Sequence, residues 1–101
     1  MDPVRAIRLD PQDTVAAVLA DAPAGVEIAA ECGDDLRTVT AVEEIPFGFK
    51  VALEDVVEGG TVRKYGAPIG RASQPIKAGQ LVHIHNLEGI RGRGDLAGTA
   101  E

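Results

Sequence analysis

The same short spacing occurs four times in this chain: an aliphatic residue, glycine three positions later, then Val or Ile three positions after that. The copies are Ala22-Pro-Ala-Gly25-Val-Glu-Ile28, Ile45-Pro-Phe-Gly48-Phe-Lys-Val51, Val56-Val-Glu-Gly59-Gly-Thr-Val62 and Ile76-Lys-Ala-Gly79-Gln-Leu-Val82. Each predicts a tight turn feeding a strand. Proline, where present, presets φ, glycine supplies φ > 0, and the β-branched residue opens the next extended run. The glycines fall at irregular intervals, which excludes a solenoid and leaves a compact domain of short strands joined by turns.

Apolar residues alternate with polar ones between these turns and predict half-buried strands. They fall at Val4–Leu9, Thr14–Leu19, Val26–Ala30, Thr38–Val42, Lys50–Leu53, Thr61–Tyr65, Ile69–Ala72 and Leu81–Leu87. Cys32-Gly-Asp-Asp35 reads as the turn between the third and fourth. The alanines of Thr14–Leu19 also suit a helical turn, and Glu54-Asp55 marks at most one more. No window of ten residues shows a helical period, so the fold is expected to be all-β. Residues 1–12 read as a lead-in segment, 13–88 as the domain and 89–101 as a Gly/Arg-containing tail.

The chain has 101 residues, room for one domain with a thin margin of buried surface. With three aromatic residues and no Trp, its core must be aliphatic. A net charge of −6 argues against nucleic acid or an acidic membrane surface as the main partner. Cys32 is the only cysteine, so no intrachain disulfide forms, and its aspartate neighbours give no reason for a reactive thiolate. No apolar run resembles a signal peptide or spans a membrane, which predicts a cytoplasmic protein.

Three groups of residues suggest chemistry. On a strand, His83 and His85 would share a face with Ile84 opposite. Two such imidazoles supply either two metal ligands or a base with a hydrogen-bonding neighbour. A metal would need more ligands, from Glu43, Glu44 or another chain; the competing account is two histidines satisfied at a subunit interface. The cations Lys50, Arg63, Lys64 and Arg71 form the second group, with Tyr65 beside them. They suit a carboxylate substrate, although surface strands also carry cations for solubility. The third is Arg91-Gly-Arg93-Gly-Asp95, which offers planar donors on a backbone that can approach closely. It reads equally well as a solvated tail. Asn86 lies beside the histidines.

Several motifs occur here in a specific order: Ile45-Pro-Phe-Gly-Phe-Lys-Val-Ala-Leu53, Lys64-Tyr-Gly66, Ile69-Gly-Arg-Ala72, Ile76-Lys-Ala-Gly79 and Val82-His-Ile-His-Asn-Leu87. Over residues 10–96 the chain strongly resembles the small module of the altronate/galactarate dehydratase family, a SAF domain, and is similar to the sulfolactate sulfo-lyase small subunit. The resemblance implies a β-clip fold and a role beside a separate large subunit, removing water or sulfite from a hydroxy acid. It implies a divalent metal, Fe²⁺ or Mn²⁺, held mainly by that subunit, with this module contributing a lid or part of the pocket. His83 and His85 would transfer protons or position substrate. Lys50, Lys64, Arg71, Asn86, Arg91 and Arg93 would contact the sugar-acid substrate. Alone, the chain would be inactive and would cover its exposed sheet by self-association.

One departure stands out. The family usually reads Gly-His-Lys where this chain has Gly48-Phe49-Lys50, and Phe cannot ligate, shuttle a proton or hydrogen-bond. Phe49 motivates a competing reading as an inactive or regulatory paralogue; another is a non-catalytic β-clip binding or assembly module.

Overall fold

The computed structural model describes residues 2–89, and its regular structure is entirely strand. In chain order the strands are β1 (Val4–Ile7), β2 (Val15–Val18), β3 (Glu27–Cys32), β4 (Asp35–Thr40), β5 (Lys50–Ala52), β6 (Thr61–Lys64), β7 (Ala67–Ala72), β8 (Leu81–Val82) and β9 (Leu87–Gly89). They form a six-stranded sheet in the order β4-β3-β1-β2-β5-β8 and a three-stranded sheet in the order β6-β7-β9. β1 and β3 run parallel, and every other pairing is antiparallel. The expected all-β architecture is the observed one, and no described helix is long and apolar enough to cross a membrane.

The four recurring turns are the joints of this fold. Gly25, Gly48, Gly59 and Gly79 hold φ between 83° and 92°, as a turn of type II requires at its third position. The turns close on one another in pairs through isolated bridges, Ala22 to Ile45 and Val56 to Ile76. In both bridges the two residues exchange N–H···O bonds of 2.8 Å each way. The aspartate before the first turn of each pair caps the second: Asp21 accepts from the Phe47 N–H at 2.8 Å, and Asp55 from the Ala78 N–H at 2.9 Å. The two halves of the chain thus repeat one device, which we call a clasp.

Pleat alternation divides the apolar side chains between two cores. The first gathers Ala6, Ala16, Val18, Ile28, Ala30, Ile45 and Val51 behind the larger sheet. The second gathers Val15, Ala52, Val56, Val62, Ala72, Ile76 and Val82 between the sheets. Because Val51 and Ala52 are adjacent, β5 feeds both cores, one from each face.

Three sequence expectations are corrected. The run 81–87 is not one strand, because β8 stops at Val82 and residues 83–86 form a turn before β9. Tyr65 does not continue β6 on the face of Arg63. It takes φ 55° beside Gly66 at φ 80°, forming the two-residue type I′ turn between Lys64 and Ala67. Glu54 and Asp55 start no helix. The expected strand at 14–19 is present as β2 (Val15–Val18).

Candidate functional site

The larger sheet has one covered face and one largely open face. Cross-strand register places Leu36, Glu31, Ile7, Ala17, Lys50 and Val82 in one row across all six strands. A second row carries Thr38, Ala29 and Arg5, with Leu19 next to Arg5 through a Leu19 N–H to Arg5 C=O bond of 2.8 Å. The three-stranded sheet covers the Val82 end, while Ile7, Leu19 and Leu36 remain 38%, 42% and 58% exposed. An antiparallel-type sheet face with scattered aliphatic residues, open to water, has the character of a contact surface.

Lys50 stands where the open face meets the second core. Burial lowers its pKa first, and the charge of Lys64 lowers it further. Lys64 arrives from the β6–β7 hairpin, its ammonium 4.8 Å from the centre of the Tyr65 ring. Four of the described cations find acids: Arg5 with Glu31 at 3.5 Å, Arg8 with Asp35 at 2.6 Å, Arg37 with Glu54 at 3.1 Å and Lys77 with Asp55 at 3.9 Å. Lys50 and Lys64 have no ion-pair partner among the described residues, in a protein of net charge −6. A partly buried cation without a counter-charge makes a receptive place for an anion.

The histidines are arranged differently from the strand expectation. Asn86 is the reason: it is 3% exposed, its Oδ1 accepts from the His83 N–H at 2.9 Å and its Nδ2 donates to the Leu81 C=O at 2.9 Å. The Asn86 and Leu87 N–H groups both donate to the His83 C=O, at 3.1 and 2.9 Å, so the chain coils instead of extending. His83 is half-buried against Phe49, His85 is exposed, and Ile84 is 83% exposed rather than turned into a core. Asn86 sits inside the turn as its brace, not on the surface beside the cations.

The remaining predicted residues separate. Arg71 pairs across strands with Thr61 and Glu88, at the far end of the hairpin from Lys64. There it lines a shallow cavity of about 300 Å³ with Glu58, Ser73 and Glu88. Lys50 and Val82 face the second core, whereas Phe49 packs on the first and carries His83 with it. Lys50 and His83 therefore look out on opposite faces of the β5–β8 ladder. Arg91 and Arg93 lie outside the described residues. Glu43 accepts the Leu81 N–H at 3.0 Å, and no three of His, Cys, Asp and Glu gather as metal ligands among the described residues. These side chains alone do not fit a metal site.

Sequence reading missed Asp13. It is wholly buried, and its Oδ2 accepts from the N–H groups of Leu9 at 3.2 Å, Asp10 at 3.2 Å and Tyr65 at 2.9 Å, while Oδ1 accepts from Gly66 at 2.7 Å. Next to it, Thr14 Oγ1 accepts from the Arg63 N–H at 2.9 Å. The available signal was an Asp-Thr pair following Asp-Pro-Gln, a loop composition whose side chains bond backbone amides.

Comparison with known proteins now bears on this geometry. The family model described as altronate/galactarate dehydratase SAF domain matches residues 4–89. The chain is 42% identical over 80 residues to altronate dehydratase of Escherichia coli (strain K12), covering 79% of this chain and 15% of that protein. To altronate dehydratase of Bacillus subtilis (strain 168) it is 35% identical over 82 residues, 81% of this chain and 16% of the relative. It is also similar to (2R)-sulfolactate sulfo-lyase subunit alpha of Chromohalobacter salexigens, 46% identical over 46 residues, 46% of this chain and 49% of that subunit. The chain spans less than a fifth of the length of the two altronate dehydratases.

Proposed function

This chain belongs to the altronate/galactarate dehydratase SAF domain family, and on that premise we propose that it is the small module of a lyase that eliminates water from a hydroxy acid. A larger catalytic body completes the enzyme, as the relatives' lengths and the word "subunit" in the sulfo-lyase name support. The open face of the six-stranded sheet is where that body docks. Lys50 and Lys64, at the border of that face, take the substrate carboxylate.

The observation that carries this reading is that Lys50, partly buried and under the charge of Lys64, has no ion-pair partner among the described residues, and neither has Lys64. Elimination next to a carboxylate removes the α-proton and expels the β-hydroxyl, and negative charge builds on the carboxylate as the proton leaves. Two preplaced ammonium groups stabilise that charge more in the transition state than in the ground state. The divalent ion of such an enzyme belongs, on this reading, to the larger body. Proton transfer by His83 or His85 requires the substrate to be approached from the other face of the β5–β8 ladder as well.

The test is co-purification with the large subunit and a dehydratase assay on a panel of aldonic and aldaric acids. Lys50→Gln and Lys64→Gln are each expected to raise KM for the acid strongly while the complex still forms. Full activity in the double variant would sink the reading. A His83→Ala, His85→Ala enzyme in the same assay shows whether the 83–86 turn takes part in chemistry or only in assembly.

A further inference from the structure

The larger sheet has two outer edges, β4 and β8, and they are finished differently. The β8 edge is closed by side chains. Glu43 Oε2 accepts the Leu81 N–H at 3.0 Å, and Asn86 Nδ2 donates to the Leu81 C=O at 2.9 Å. The β4 edge is bare. Just beyond it Ala41 bonds toward the β3 side, its N–H donating to the Val26 C=O at 2.9 Å and its C=O accepting from the Gly25 N–H at 2.7 Å. Antiparallel pairs alternate, so Val39, Arg37 and Asp35 also bond inward, while Leu36, Thr38 and Thr40 aim their N–H and C=O groups outward. Among the described residues no hydrogen bond meets Leu36 or Thr38 on that side. Neither a proline nor a bulge interrupts the six-residue register, so the usual guards of an edge strand are missing. We propose that β4 is a dimerisation edge: it pairs antiparallel with β4 of a second copy about a two-fold axis at Leu36, joining two six-stranded sheets into one.

Such a self-pair can be centred on Leu36, Arg37 or Thr38, and the residues choose among the three. A pair centred on Thr38 needs the outward C=O of Thr40. The Gly79 turn already lies against that oxygen, where a Cβ on Gly79 would stand 2.1 Å from it. A pair centred on Arg37 sets two guanidinium groups directly opposite one another, which is destabilising. Centred on Leu36, Asp35 of each copy lies opposite Arg37 of the other, giving two opposite-charge pairs by symmetry. Both side chains have an atom to offer. Arg8 holds Asp35 through Oδ2, and Leu53 and Glu54 hold Arg37 through Nη2, which leaves Asp35 Oδ1 and Arg37 Nη1 for the second chain. Between the charge pairs Leu36, 58% exposed in the single chain, meets its own counterpart. The two-fold axis stands perpendicular to the sheet, so both open faces look the same way. The row Ile7-Glu31-Leu36 continues into the same row of the second copy, and dimerisation extends the open face instead of covering it.

Sedimentation equilibrium of the full chain over a concentration series should show a monomer–dimer equilibrium. Leu36→Lys, which opposes two ammonium groups at an exposed position, should raise the dissociation constant about tenfold or more while the circular dichroism stays that of the folded chain. Leu19→Asp, on the open face, should leave the dissociation constant unchanged. The register has its own readout. In a Cys32→Ser background, Leu36→Cys should give a disulfide-linked dimer on mild oxidation, because hydrogen-bonded antiparallel partners have Cα atoms about 5.5 Å apart. Thr38→Cys, four positions from its counterpart in this register, should crosslink many times more slowly. A chain monomeric at every concentration, a dimer that Leu36→Lys leaves intact or Leu19→Asp disrupts, or equal crosslinking at positions 36 and 38 would overturn the proposal. So would release of monomers on adding the large subunit, which would assign the β4 edge to that partner. None of these readouts involves turnover, so failure of the functional reading leaves this one standing.

Discussion

Phe49 and His83 face one another at the edge of the larger sheet, ring centroids 4.9 Å apart and planes tilted by 58°. The ring that cannot hydrogen-bond thus serves as the wall against which an imidazole rests. Phe49→Ala should cost about 1–2 kcal/mol, less than a fully buried Phe because this ring is only partly buried. Phe49→His keeps a ring in place and should cost less. Urea unfolding of the two variants checks the order, and equal losses would remove the ring contact as the cause.

Asn86 holds the 83–86 turn with both ends of its amide. Asn86→Ala leaves the buried His83 N–H and Leu81 C=O without partners, a loss of about 1–3 kcal/mol. Faster exchange of the His83 amide should accompany it. An unchanged His83 exchange rate would show that the turn holds without this brace.

Two of the clasp glycines separate strain from collision. At Gly25 a Cβ would meet nothing within 4 Å, so Gly25→Ala costs only the left-handed backbone, about 1 kcal/mol. At Gly79 the same Cβ would lie 2.1 Å from the Thr40 C=O oxygen, and Gly79→Ala should cost about 3 kcal/mol or more. Thermal melts of the pair decide it, and similar losses at both sites would refute the difference.

Lys50 makes stability depend on alkaline pH in a definite direction. Its folded pKa lies below the ordinary 10.5, so the unfolded chain binds this proton more tightly. The folded state carries the penalty of a buried charge below the folded pKa. That penalty is relieved as pH rises from there toward 10.5. Lys50→Gln lacks this term, so its stability relative to wild type should be greatest near neutrality and decline as pH rises through that window. A pH-independent difference between the two proteins would contradict the burial of Lys50.

Leu19 stands on the open face, 42% exposed. Leu19→Asp should change the stability of the isolated chain by about 0.5 kcal/mol or less. It should nevertheless weaken association with the large subunit severely. Unimpaired co-purification would move the docking surface elsewhere.

The turns were the most legible part of the sequence, because Gly25, Gly48, Gly59 and Gly79 need a conformation other residues resist. Strand positions followed from alternation for the same local reason. The 81–87 run misled because alternation cannot reveal that Asn86 folds back onto the His83 amide. Asp13 was invisible as a tie: its Tyr65 and Gly66 donors lie 52 and 53 residues away. Lys50 and Lys64 were chosen from charge alone, and alternation along a strand gives no sign that a charge on one sheet acts on a lysine of the other. Arg71 had the same credentials and ended at the other end of the hairpin.

The paired clasps have a consequence for how such a domain can vary. Each closes through backbone groups, two glycines and one aspartate, with the Gln80 side chain added in the second, so the side chains at the turn tips, Ala24, Phe47, Glu58 and Ala78, make none of these closing bonds. The molecule separates its fastening from its decoration. Substitutions can accumulate at those tips and refit the rim to another neighbour while the scaffold beneath keeps its shape.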